Sequence, residues 1–220
     1  CPLKARERFS EHVDLVGFES NQYSGGAAAA EYMFKATKGE GTYLPIGTTP
    51  GAFGAIQRCL GFIDKMKELK PDVKILDVEY PHHDARKAAE LASAAIMSTP
   101  DLAGIFVATS GPASGVSSAI IESGKSEQIK LVSFDADPQQ IDDLRAGVYD
   151  ALIAQDPYQM GYDAVKLLSQ YIRGELKKED FDEPVMSYEM MAITRDNIDD
   201  ESVDKFKYIG DIKSRPIRKK

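Results

Sequence analysis

The chain has 220 residues, 43% of them hydrophobic and 28% charged, which suits one large or two small globular domains and excludes disorder throughout. Its formal net charge of -8 argues against a nucleic-acid backbone or an anionic membrane as the main partner, because both select basic surfaces. No apolar run approaches the roughly 18 residues that a membrane-spanning helix needs, and two cysteines, Cys1 and Cys59, make neither a disulfide framework nor a zinc site.

In chain order, VDLVGF (13–18) is a short apolar strand, followed by an alanine-rich helical pattern from Gly25 to Lys38. TYLPIG (42–47), a Thr/Pro/Gly loop and a helix from about Ala52 to Leu69 repeat the unit, with Ile56, Leu60, Ile63 and Met66 at helical spacing. VKILDVEY (73–80) opens a third unit, in which Asp84 is an N-cap for a helix running to about Met97. LAGIFVATS (102–110) precedes a helix that starts after Gly111-Pro112 and ends at Ser123, with Gly124 as its C-cap. IKLVSF (129–134) stops at Asp135, and a helix from about Pro138 to Arg145 ends at Gly147. YDALIAQ (149–155) then leads through Asp156-Pro157 to the longest helix, Tyr158 to Arg173. PVMSYEMMAIT (184–194) is one further strand, the remainder is charged with little periodicity, and SRPIRKK at its end reads as a mobile basic tail. Strands that alternate with helices and are continuously apolar predict an α/β fold with a doubly wound parallel sheet, its strand carboxyl ends along one edge.

A carboxylate at such an edge, as at Asp135, points to a polar contact in a cleft. Several catalytic patterns fail on spacing. Gly124-Lys125-Ser126 lacks the earlier glycine of a phosphate loop, since Ala119 stands there, and GTTPGAFG (47–54) lacks the spacing of a dinucleotide loop. GPASG (111–115) is not a nucleophile elbow, because Ser114 is misplaced. Ser110, His83 and Asp135 have the residue types of a triad, and His82-His83-Asp84 those of a metal site, but neither set has the expected arrangement. No catalytic residue, metal or cofactor is expected.

VGFESNQYSGGAAAAEYM, QRCLGF, STPDLAGIFVATSG, KLVSFDADP and ALIAQDPYQMGYDAVKLL resemble the type I periplasmic sugar-binding proteins, the ribose-binding group of solute receptors for ABC transporters. The resemblance runs from about Val13 to Asn197. It implies two lobes around a monosaccharide, with Arg58 as the pocket arginine, Asp135 as the acceptor for sugar hydroxyls and Gln155 as the hinge amide. His83 stands where the family has a stacking aromatic ring, and Ser110 where it has an asparagine, so both would contact the ligand differently. Each position also has a structural reading: Arg58 on a helix surface, Asp135 as a turn or helix cap, Gln155 as a polar strand end.

The resemblance divides the chain into a lead-in (1–12), a C-terminal lobe (13–155), a hinge and helix belonging to the other lobe (156–183), a returning strand (184–198) and a tail (199–220). Most of the N-terminal lobe would be missing, leaving the face Met160, Ala164, Val165, Leu168, Tyr171 and Ile172 in need of an apolar partner such as a second copy. The implied function is non-catalytic binding of a sugar or polyol in the periplasm or outside the cell, with a transporter permease or a sensor as protein partner. No signal segment is recognisable, and the start on Cys1 reads as a processed or excised piece. The effector domain of a LacI-type regulator and an enzyme on a doubly wound sheet remain alternatives.

Overall fold

The computed structural model describes residues 16–183 and 185–208. They form two compact units, the larger from residues 22–154 and the stretch from 191 on, the smaller from the stretch up to 21 and residues 155–190. In chain order the elements are β1 (Gly17–Ser20), α1 (Gln22–Thr37), β2 (Thr42–Ile46), α2 (Phe53–Leu69), β3 (Lys74–Ile75), α3 (Ala85–Ser98) and β4 (Leu102–Val107). Then follow α4 (Ser110–Glu122), β5 (Lys130–Phe134), α5 (Pro138–Ala146), β6 (Ala151–Ala154), α6 (Pro157–Ile172), β7 (Val185–Tyr188) and β8 (Met191–Thr194).

The larger unit is built on a six-stranded sheet of order β3-β2-β4-β5-β6-β8, parallel except for the antiparallel β8. This is the doubly wound sheet that the alternating pattern predicts. Successive residues of a strand face opposite sides. One side carries Leu44, Ile46, Ile105, Val107, Leu131, Leu152 and Ala154 into a core with Ala88, Ala92, Val116, Ile120, Ile141 and Leu144 from α3, α4 and α5. On the other side Phe106 stacks on Phe62 of α2 at 4.7 Å and meets Phe134 edge-on at 5.9 Å. All three rings are fully buried, each worth about 2 kcal/mol of transfer free energy. Helix ends follow the local signals: Asp84 accepts from the backbone N–H groups of Arg86 and Lys87 at 2.8 and 3.2 Å, and Gly147 closes α5 at φ 83°.

Four expectations are corrected. The 73–80 run shrinks to β3 and a lone bridge between Ile46 and Glu79, because an edge strand has a partner on one side only. VDLVGF does not open the larger sheet: the strand begins at Gly17 and pairs in parallel with β7, Gly17 with Val185 through Ser20 with Tyr188, in the smaller unit. The segment 184–194 is two strands, since the chain leaves β1 after Tyr188 and pairs antiparallel to β6 from Met191. Finally, the charged tail is folded as far as it is described. Ile198, Val203 and Phe206 are 3%, 1% and 6% exposed within the large core, the last two on a 3-10 turn at Glu201–Phe206. Residues 13–15 and the terminal SRPIRKK lie outside the described residues.

In the smaller unit α6 is held by Asp156, whose side chain accepts from the Gln159 N–H at 3.0 Å, and by Tyr188, whose hydroxyl donates to Asp163 at 2.8 Å. No residue of α6 is buried. Of the face read from the sequence, Val165, Leu168, Tyr171 and Ile172 are exposed, whereas Met160 and Ala164 are half-buried; Tyr158 and Tyr162 are exposed as well.

Candidate functional site

Helix α2 delivers Arg58 to the carboxyl edge of the sheet, where its side chain is buried, with 7% of the residue exposed. Its Nε donates to Oε1 of Gln22 on α1 at 2.6 Å, and Nη1 donates to the carbonyl of Ala108, just past β4, at 2.7 Å. The guanidinium carbon lies 4.0 Å from the centroid of the buried Phe134 ring, a cation–π contact. Burial pushes the guanidinium pKa down, while the nearby Asp135, Tyr208 and Cys59 act in the opposite direction. Arginine stays charged under such shifts. The surface-helix reading of Arg58 is thereby corrected: the fork is fixed by an amide, a carbonyl and a ring from three elements. The adjacent Cys59 thiol is pushed up to about 12 by burial, which makes it a packing group rather than a nucleophile.

Asp135 follows β5 in the left-handed region, φ 72°, which an aspartate tolerates better than most residues. Its N–H donates to the Ile153 carbonyl at 3.0 Å, and its Oδ1 accepts from the Tyr208 hydroxyl at 3.2 Å. The helix-cap reading of Asp135 does not hold, because Asp137 fills that role. The Asp137 side chain accepts from the Gln140 N–H at 2.9 Å while Oε1 of Gln140 accepts from the Asp137 N–H at 3.2 Å, completing a capping box. The same Gln140, itself buried, donates from Nε2 to the Phe134 carbonyl at 2.9 Å. One glutamine thus ties the helix cap to the residue that carries both the ring under Arg58 and the turn into Asp135.

The remaining sequence candidates are distributed along the same edge and beyond it. Ser110 is half-buried and is the first residue of α4, so the helix begins before the Gly-Pro pair and not after it. His83 is exposed at φ 62°, beside His82 at φ 56°, whose N–H donates to the Thr48 carbonyl at 2.7 Å. The His83 carbonyl is 4.0 Å from where a Cβ on Gly111 would stand, so the loop before α3 adjoins the first turn of α4. Gln155 directly follows β6 but belongs to the smaller unit. Within the larger unit Arg58 and Asp135 share one electrostatic environment with Tyr208, and Ser110 and His83 flank the next strand ends.

Sequence reasoning missed Gln22, Gln140, Tyr208 and Thr109. Thr109, which precedes Ser110, has a buried hydroxyl oxygen with no hydrogen-bond partner among the described residues. Phe134 stands in the FD pair of the quoted motif, but its role under Arg58 has no sequence signal. Among the described residues no group of three His, Cys, Asp or Glu side chains is placed to hold a metal ion. What the edge offers is a fixed cationic fork beside a carboxylate, hydrogen-bond donors and acceptors that together suit neutral hydroxyl groups.

Residues 10–176 match the periplasmic binding protein domain, and the chain belongs to that family. It is 26% identical over 145 residues to the D-allose-binding periplasmic protein of Escherichia coli, covering 65% of this chain and 46% of that protein. It is also 26% identical over 176 residues to the ribose import binding protein RbsB of Salmonella typhimurium, covering 79% of this chain and 58% of that one. Among solved structures, an ABC transporter solute-binding protein from Agrobacterium vitis bound to α-D-tagatopyranose superposes with a TM-score of 0.80 at 29% identity, over 89% of this chain and 63% of that chain. The chain thus spans about half the length of the curated relatives it matches.

Proposed function

We propose that the strand edge carrying Arg58 and Asp135 recognises a small polyhydroxylated ligand, a sugar or polyol, without transforming it. The observation that carries this reading is the fixed fork of Arg58, stacked on Phe134 beside the Asp135 carboxylate. Such a pair gives hydroxyl groups both donors and an acceptor at little ordering cost. His83 and Ser110, in the same unit, are proposed as further contacts. In the cell the chain would act as the solute-binding component of an ABC transporter in the bacterial envelope, periplasmic or extracellular, handing its ligand to a permease or a sensor. The relatives named D-allose-binding and ribose import binding proteins support this reading.

A single strand edge covers one side of a sugar, whereas small-molecule sites commonly bury about 70–90% of their ligand. Dissociation constants near 1 mM, about -4 kcal/mol, are therefore expected for this chain. Titrating the 15N-labelled protein with D-allose, D-ribose and D-tagatose, while following the Arg58 Nε–H and the Asp135 amide, should show saturable shifts for at least one sugar. Unchanged Arg58 and Asp135 resonances at saturating sugar would refute the assignment.

We also propose that α6 mediates self-association, because Tyr158, Tyr162, Val165, Leu168 and Ile172 present an apolar stripe that water disfavours. Light scattering at micromolar concentration should give the mass of a dimer, and Leu168→Glu the mass of a monomer. A monomeric wild-type chain would contradict this part of the reading.

A further inference from the structure

The stretch after β8 does more than close the core. Val203 and Phe206 anchor it, 1% and 6% exposed, and Lys207 pairs with Asp204 at 2.7 Å. With the segment fixed in this way, Tyr208 meets two successive residues of the turn after β5. Its N–H donates to the Ala136 carbonyl at 2.9 Å, and its hydroxyl donates to Oδ1 of Asp135 at 3.2 Å.

Asp135 has left the strand for the left-handed region, so the pleat no longer dictates where its side chain points. A carboxylate offers about four lone-pair positions, and a phenol that occupies one of them selects the rotamer and the plane in which the others face. We propose that Tyr208 is a positioning residue for the ligand-binding carboxylate of Asp135, holding it in one orientation before the ligand arrives. The inference rests on the sugar-binding reading for its consequence, but the orientation itself can be measured without ligand.

Tyr208→Phe tests it, because the substitution keeps the ring and the backbone bond to Ala136 and removes only the donor. In the ligand-free protein the Asp135 Hα–Hβ couplings should pass from values of a single χ1 rotamer in the wild type to averaged values in the variant. The dissociation constant for D-allose, or for D-ribose or D-tagatose if one of those gives the larger shifts, should rise about threefold to tenfold, as expected for a lost charge-assisted bond acting indirectly. The thermal midpoint should stay within about 2 °C of the wild type, since the donor lies off the core. A purely structural tyrosine would instead lower the midpoint and leave the Asp135 couplings alone, and that result would overturn the proposal, as would an affinity unchanged despite averaged couplings. If the wild-type chain binds none of the three sugars, the sugar reading fails by itself, and the couplings still decide whether Tyr208 orients Asp135.

Discussion

Replacing Arg58 by methionine should lower the stability of the larger unit by about 2–4 kcal/mol and abolish detectable sugar binding, although the substitution keeps most of the side-chain volume. The stability loss follows from what Arg58 leaves behind. The Ala108 carbonyl and the Gln22 amide oxygen each lose a short donor, and an unsatisfied buried acceptor costs about 1–3 kcal/mol. The contact with the Phe134 ring adds up to about 2 kcal/mol in a desolvated setting. Hydrophobic gain from the thioether offsets part of this, which is why the expected total stays below the sum. Arg58→Lys keeps the charge but cannot reach an amide, a carbonyl and a ring face with one ammonium, so it should lie nearer to methionine than to the wild type in binding. Urea denaturation checks the first effect and sugar titration the second. A methionine variant as stable as the wild type would mean that the three contacts do not hold the residue in solution.

Gly26→Ala should destabilise the protein by about 3 kcal/mol and disturb the site at a distance. Intrinsic propensity predicts the opposite sign, since alanine in a helix interior is favoured over glycine by about 1 kcal/mol. Packing decides the outcome. A Cβ at Gly26 would run into the Arg58 carbonyl, and one at Gly61 into the Tyr23 carbonyl, so α1 and α2 touch backbone to backbone at two reciprocal points. Neither obstacle is a flexible side-chain end. The helices must separate, at a cost of about 1–3 kcal/mol or more for overpacking, and the residue pushed is Arg58 itself. Gly161→Ala is the control: nothing lies within 4 Å of a Cβ there, and this α6 position should gain about 0.5–1 kcal/mol. Destabilisation at Gly26 with stabilisation at Gly161, both by urea denaturation, would separate packing from propensity.

The sheet was legible in the sequence because its strands are runs such as LAGIFV and KLVSF, bounded by glycine, proline and acids, and because helix ends at Asp84 and Gly147 carry local chemistry. What pairing alone decides was not legible. VDLVGF looks like any other apolar run, and only the partner Val185–Tyr188 assigns the strand starting at Gly17 to the smaller unit. The division of 184–194 has the same origin, for its two halves pair with different strands, the first with β1 in the smaller unit and the second with β6 in the larger. Charged neighbours concealed Val203 and Phe206, which are too few for a periodic signal yet sit in the core.

The site divides in the same manner. Asp135 was legible as a carboxylate at a strand end and Arg58 through a motif resemblance, and the fold supplies the physical reason for each: a left-handed turn tied down by Gln140 for the first, a backbone-tight helix pair for the second. His83 lies in the loop before α3 and Ser110 opens α4, whereas Gln155 falls in the smaller unit. Tyr208 could not be found from sequence, because it lies 73 positions from Asp135 in a stretch that resembles a solvated tail.

Whether Arg58 and Asp135 form a sugar-binding edge is tested by comparing wild type with Asp135→Asn in NMR titrations with D-allose, D-ribose and D-tagatose. Asparagine tolerates the left-handed turn and keeps the shape, so the fold should persist while the charge-assisted acceptor is lost. Saturable shifts are expected at the Arg58 Nε–H in the wild type, and at least tenfold weaker binding in the variant, about 1.4 kcal/mol or more. Equal affinity in the two proteins, with the fold intact in both, would contradict the assignment.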